Sequence, residues 1–265
     1  MGKTRKFLAL LVVAALVLSM GALVGCAKSG GSTAEFSTVE DGKIIAGSDT
    51  AFPPFESMNG DVAEGFDVDL LTAMGDELGY DVEFKTEIFD TLIPTLKAGG
   101  KFDVIASGMT IKPERALEID FTDPYYNSNQ SLVMKMGTTY TGTDQLSGKK
   151  IGVQSGTTGE AWANENVPDA TLVPFKNATD AFAALQAGNV DAVVNDLPVS
   201  AELLKDDPRG MEIVAEIPTG EQYGFGVSKD NPELLKALNE ALQKVKDSGK
   251  YAEIYEKWIG IPWTE

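Results

Sequence analysis

Leu96-Lys97-Ala98-Gly99 runs into Asp103-Val104-Ile105-Ala106-Ser107, and Leu185-Gln186-Ala187-Gly188 runs into Asp191-Ala192-Val193-Val194-Asn195-Asp196. Each stretch is a helix end, a glycine stop and an apolar strand led by an aspartate. Gly42-Lys43-Ile44-Ile45 and Gly148-Lys149-Lys150-Ile151 echo one another in the same order. Helix–glycine–strand units also recur by chance in α/β chains, so the echo is an expectation of two similar lobes. Around it, strand-like runs at 43–46, 82–86 and 103–107 alternate with helical faces. One is Leu70, Leu71, Met74 and Leu78, preceded by Asp67 and closed by Gly79; another is Leu92, Ile93 and Leu96 before Gly99-Gly100. That alternation predicts an α/β fold, each lobe a mostly parallel sheet flanked by helices. In open sheets of this kind ligands bind beyond the carboxyl ends of the strands, here Ser107-Gly108 and Asn195-Asp196. Two lobes facing each other by those ends make a cleft, the architecture of a clamp.

Composition narrows the function. The 265 residues suit one large or two small domains, and 43% hydrophobic with 23% charged residues is an ordinary globular balance. There is no His, which removes His-based triads, His-metal sites and His pH switches. A single Cys removes an internal disulfide framework and Cys-rich zinc sites. A net charge of −18 argues against nucleic acid as a partner. No metal and no cofactor is expected.

The start of the chain reads as an address. Lys3, Arg5 and Lys6 precede an apolar run over 7–18, then Leu23-Val24-Gly25-Cys26. A basic region, an apolar region and small residues before a cut site form a secretory signal. The run is short for a membrane span. Leu-Val-Gly-Cys resembles the lipobox of bacterial lipoproteins, which implies cleavage before Cys26 and lipid attachment on its sulfur. The Gly-, Ser- and Thr-rich residues that follow predict a flexible tether over 26–40.

The residues at the strand ends read as a zwitterion site. After Ser107, Gly108 allows close backbone approach, Thr110 offers a hydroxyl, and Pro113 starts a short helix that holds Arg115 near the strand end. A guanidinium is the bidentate partner of a carboxylate; the plainer fate of Arg115 is a surface pair with Glu114 or Glu118. In the second half the strand ending at Gln154 feeds Ser155-Gly156-Thr157-Thr158-Gly159-Glu160. Thr157 with Glu160 fits a capping box, either an ordinary helix start or an N-terminus that receives an anion. Asp196 is placed to pair an ammonium or to cap the helix that Pro198 starts. Near the beginning, Asp49-Thr50-Ala51-Phe52-Pro53-Pro54-Phe55 is a stiff loop over the strand ends, and Phe89 follows another strand. Core packing is the plainer reading of these Phe residues.

Taken together, residues 48–55, 65–70, 89–96, 103–115, 119–126, 148–160, 188–198 and 251–260 resemble the polar amino-acid-binding proteins of bacterial ABC transporters, extracellular solute-binding protein family 3. The resemblance implies a periplasmic-binding-protein-like (type II) clamp that closes on one free L-amino acid. It implies Arg115 and Thr110 on the α-carboxylate, with the N–H of Thr157 or Thr158. It implies Asp196 and the backbone of Ser107 and Gly108 on the α-ammonium. Asp49, Phe52, Phe89 and Gln154 would line the side-chain pocket. It further implies lobe 1 over 41–128 and 222–265, lobe 2 over 129–221, crossing segments over 126–134 and 219–224, and an ABC permease with its ATPase as partners. Two Phe rings and the charge of Asp49 favour Arg, Lys or His as ligand, with glutamine close behind. The expected location is extracytoplasmic, lipid-anchored to the membrane, as a monomer. Rival readings are a cyclic-acid dehydratase on the same scaffold, with Glu56 and Asp49 the acids in the pocket loop, and an amino-acid-sensing lipoprotein.

Overall fold

The computed structural model describes residues 36–206 and 208–264. The leader, Cys26 and the tether as far as residue 35 lie outside the described residues. The first half runs β1 (Lys43–Ser48), a small antiparallel sheet of β2 (Ala51–Phe52), β3 (Glu56–Asn59) and β4 (Val62–Glu64), then α1 (Phe66–Leu78), β5 (Asp81–Thr86), α2 (Leu92–Ala98), β6 (Val104–Ile105), the short α3 (Pro113–Ala116) and β7 (Asp120–Phe121). β8 (Tyr126–Lys135) leads into the second half, which is β9 (Lys150–Gln154), α4 (Thr158–Asn166), β10 (Thr171–Phe175), α5 (Ala178–Ala187), β11 (Ala192–Asp196), α6 (Leu197–Leu204) and β12 (Met211–Tyr223). The chain then returns through β13 (Gly226–Val227), α7 (Pro232–Asp247) and α8 (Lys250–Ile259).

The two large sheets have the orders β5-β1-β6-β13-β7 and β10-β9-β11-β8-β12. β1 is parallel to β5 and β6, and β9 is parallel to β10 and β11, so both halves wind the same three-strand unit with its first strand in the middle. The remaining strands pair antiparallel. The expectation of mostly parallel sheets therefore holds for three strands of each five. β8 and β12 carry the chain out of and back toward the first sheet in opposite directions, which makes their pairing antiparallel, from Tyr126 opposite Tyr223 to Lys135 opposite Met211.

The repeated aspartates have one job. Asp103 Oδ2 accepts the N–H of Ile45 at 2.8 Å, and Asp191 Oδ2 accepts the N–H of Lys150 at 2.8 Å. Each acid at the head of the third parallel strand pins the first, which gives the sequence echo a structural cause.

Alternate residues of β1 face opposite sides. Ile44 and Ala46 pack with Phe66, Leu70 and Met74 of α1, Leu238 and Leu242 of α7, and Tyr251 and Ile254 of α8; Ile45 packs with Leu92, Leu96, Phe102 and Met109. The second sheet is covered likewise, Ile151, Val153 and Val194 on one face and Val133, Phe182, Leu185 and Val193 on the other. Among the described residues no helix is long and apolar enough to cross a membrane.

Candidate functional site

The carboxyl ends of β1, β6, β9 and β11 converge, and the two halves touch there. Gln154 Nε2, at the end of β9, donates to Asp49 Oδ2, just past β1, at 2.6 Å. Arg115 of α3 donates through one terminal nitrogen to the carbonyl of Thr110 at 2.8 Å and through the other to the carbonyl of Gly156, before α4, at 2.9 Å. Its guanidinium lies 5.4 Å from the centre of the Phe89 ring, a cation–π separation. Arg115 is thus no surface partner of Glu114 or Glu118; it stands between the lobes.

At one end of the cleft, Asp49 is buried, and burial pushes its carboxyl up to about 6. Gln154 Nε2 also donates to the carbonyl of Lys176 at 3.0 Å. Both of its partners are acceptors, which fixes the amide with its oxygen free. Asp49 Oδ1 and Gln154 Oε1 are both buried and neither has a hydrogen-bond donor. This end of the site offers acceptors.

At the other end, Asp196 closes β11 and is buried. It stands at the N-cap position of α6, yet its side chain makes no cap bond. Its Oδ1 accepts from Gln130 Nε2 of β8 at 2.6 Å and its Oδ2 from the hydroxyl of Tyr223. Burial raises its carboxyl to about 7, helped by the charge of Glu221. The capping alternative for Asp196 is set aside by this geometry. For Thr157 it holds: its oxygen accepts the N–H of Glu160 at 3.2 Å while Glu160 Oε2 accepts the N–H of Gly156 at 2.7 Å. The Thr157 hydroxyl donates to the carbonyl of Gln154 at 2.8 Å, so it is occupied by the turn. Of the leading N–H groups of α4, that of Thr157 goes to the carbonyl of Gln154 at 3.4 Å and that of Glu160 to Thr157, which leaves those of Thr158 and Gly159 as the donors of this helix start.

Between these ends lies Gly108, at φ 49°, where a Cβ would come within 3.0 Å of the Phe52 ring. Phe52 is buried with Phe55, and Phe55 lies among Phe66, Tyr126 and Tyr223 at ring separations of 4.8–6.0 Å. The N–H of Gly108 is taken by Asp67 Oδ2 at 2.8 Å, which also accepts the Tyr125 hydroxyl at 2.7 Å. Ser107 Oγ donates to Glu56 Oε1 at 2.8 Å and accepts the N–H of Asp49 at 2.9 Å. The Ser107 hydroxyl and the Gly108 N–H are thus both engaged within the first half.

A sequence profile of the bacterial extracellular solute-binding proteins, family 3, matches residues 44–261. The chain belongs to that family. The ABC transporter arginine-binding protein 1 of Escherichia coli K12 is 36% identical over 249 residues, covering 91% of this chain and 98% of that protein. Among solved structures, an ancestral arginine-binding protein bound to glutamine aligns with a TM-score of 0.79 at 41% identity, covering 84% of this chain and all of that one. The arginine-, lysine-, histidine-binding protein ArtJ of Geobacillus stearothermophilus aligns with a TM-score of 0.79 at 37% identity, covering 84% and 97%.

In this family 3 protein the structure brings together all eleven cleft residues singled out in the sequence: Asp49, Phe52, Phe89, Ser107, Gly108, Thr110, Arg115, Gln154, Thr157, Thr158 and Asp196. Cys26 lies outside the described residues. Sequence reasoning missed a layer beneath them. Glu56 and Asp67 are fully buried, and burial raises both carboxyls, Asp67 to about 7 and Glu56 well above its usual range. Asp67 reads in the sequence as the residue that starts α1; in the structure α1 begins at Phe66 and the Asp67 carboxylate turns inward to Gly108. Gln130, Tyr223 and Glu221 were missed as well. Their partners are 27 to 111 residues away, and no local pattern marks them.

Proposed function

We propose that this chain is the extracytoplasmic substrate-binding component of an ABC importer, capturing a free polar L-amino acid by closure of two lobes. The observation that carries the reading of the side-chain end is the pair of unpartnered acceptors, Asp49 Oδ1 and Gln154 Oε1, on opposite lobes. A donor-rich cationic side chain satisfies both at once, and a guanidinium with five N–H groups does so best. Arginine is therefore favoured, with lysine and histidine next and glutamine, whose amide also donates, close behind. The names of the relatives point the same way. Arg115 and the first turn of α4 suit an α-carboxylate, and Asp196 with the backbone of Ser107 and Gly108 suits an α-ammonium. Because the two charged ends find partners on both lobes, binding energy favours the closed form, which a permease and its ATPase would read.

The lobes divide, on this reading, at 128/129 and 221/222. The chain works as a lipid-anchored monomer held through Cys26 after loss of residues 1–25. Catalysis is not part of the proposal. A cyclic-acid dehydratase needs a general acid that reaches its substrate; of the two acids that reading offers, Glu56 is fully buried under Ser107 rather than open to the cleft, which leaves Asp49 alone. A sensing role would use the same site with a different membrane partner. Thermal melts of the soluble body with each of the twenty amino acids test the proposal. Arginine should raise the midpoint most; an unchanged midpoint with all twenty rejects it.

A further inference from the structure

Glu221 sits on β12 opposite Ser128 of β8, where the chain crosses between the sheets. Its Oε2 accepts from the Thr110 hydroxyl on one side at 2.9 Å and from the Thr158 hydroxyl on the other at 2.9 Å. Both of its oxygens lie 3.2 Å from Gln130 Nε2. That same nitrogen donates to Asp196 Oδ1 at 2.6 Å and lies 3.1 Å from Thr158 Oγ1. Glu221 thus joins a residue after β6, the first residue of α4 and, through one amide, the acid at the end of β11.

A hydroxyl has one hydrogen, and an ionised carboxylate only accepts. While Glu221 holds the hydrogens of Thr110 and Thr158, those two oxygens can show a ligand nothing but lone pairs. Lone pairs attract an ammonium and repel a carboxylate. While Glu221 accepts it, the single hydrogen of the Thr110 hydroxyl is not available to an α-carboxylate, the partner that the family resemblance implies for it. A second carboxylate beside Asp196 also makes this corner of the cleft more attractive to a cation.

We propose that Glu221 is a positioning residue that sets the polarity of the amino-acid end of the site. It turns Thr110 and Thr158 into acceptors for the α-ammonium, beside Asp196, and leaves the α-carboxylate to Arg115 and the first turn of α4. The inference rests on the amino-acid-binding reading above.

The test uses calorimetry on the wild type, Glu221→Gln, Thr110→Val and the double variant. The ligands are L-arginine and 5-guanidinopentanoate, which is arginine without its α-amino group; glutamine and glutaramate replace them if glutamine binds the wild type more tightly. Glu221→Gln should weaken the amino acid about ten- to hundredfold, the effect of losing a charge-assisted hydrogen bond, and leave the des-amino compound nearly unchanged. Its effect should shrink in the Thr110→Val background, because the hydroxyl through which it acts is gone. Equal weakening of both ligands would mean a merely structural role and overturn the inference, as would an undiminished effect in the double variant. Tighter binding of both ligands would mean that Glu221 competes for the α-carboxylate's seat, and overturns it too. If the wild type binds neither amino acid, the functional reading fails with it; if the wild type binds and only the variants disagree, the inference alone fails.

Discussion

Asp49 and Gln154, on opposite sides of the cleft, meet at 2.6 Å through a single amide hydrogen. The contact leaves a carboxylate oxygen and an amide oxygen buried and unpartnered. It both ties the halves and defines an acceptor-lined end of the site. Asp49→Asn replaces an acid by its isostere. Calorimetry should show arginine and lysine weakened by about 1.5–3 kcal/mol, the range for hydrogen bonds to charged groups, and glutamine weakened less. An equal drop for all three would move Asp49 to the amino-acid end.

Arg115→Met should weaken arginine, lysine, histidine and glutamine alike, by roughly 2–5 kcal/mol, because all carry an α-carboxylate that would lose its guanidinium. The same change removes the bridge from Thr110 to Gly156. Small-angle scattering of the ligand-free variant should therefore show a larger radius than the wild type.

Much of this was legible in the sequence because it is local or periodic. The glycine-stopped helices, the Asp-led strands, the Thr157–Glu160 box and the run from Ser107 to Arg115 each occupy a few consecutive residues. What was not legible is what the fold assembles from afar. Tyr223 reaches Asp196 across 27 residues, Gln130 reaches it across 66, and Glu56 meets Ser107 across 51. Glu56 reads as one more loop acid until burial is known. The antiparallel strands escaped for a related reason, since the pairing of β8 with β12 depends on the chain crossing twice rather than on either stretch alone.

Opposite pH trends are predicted for stability and binding. Burial holds Asp49 up to about 6 and Asp67 and Asp196 up to about 7, against an ordinary 3.8. Between those values the folded chain binds more protons than the unfolded one. The stability these acids contribute is therefore full below 3.8 and is lost as pH rises through about 7. Ligand-free melting midpoints should fall from pH 5 to pH 8. Affinity for arginine should rise over the same range, because its ammonium and guanidinium favour ionised Asp196 and Asp49. Calorimetry at pH 6 in buffers of different ionisation enthalpy should register proton release on binding.

Glu56→Ala should lower the ligand-free midpoint at pH 6, because it leaves a cavity and strips Ser107 Oγ of its acceptor. A cost of about 2–4 kcal/mol follows from those two effects. Glu56→Gln, which keeps an oxygen for Ser107 Oγ, should cost less. Chemical denaturation of the two variants measures both, and equal costs would show that the hydrogen bond contributes nothing.

Cys26→Ser tests the anchor apart from the site. Membrane fractionation should find the variant released or misplaced, while the purified protein keeps wild-type affinity for its ligand. Retention in the membrane fraction would set the lipid attachment aside.

On the function proposed above, the cleft holds a free cationic amino acid by both charged ends and its side chain. Titration of the wild-type body with L-arginine at pH 8, followed by calorimetry, addresses it most directly. The expected result is saturable one-to-one binding at about micromolar Kd or tighter, about −8 kcal/mol or more favourable, with glutamine weaker. No binding of arginine, lysine, histidine or glutamine under those conditions would contradict it.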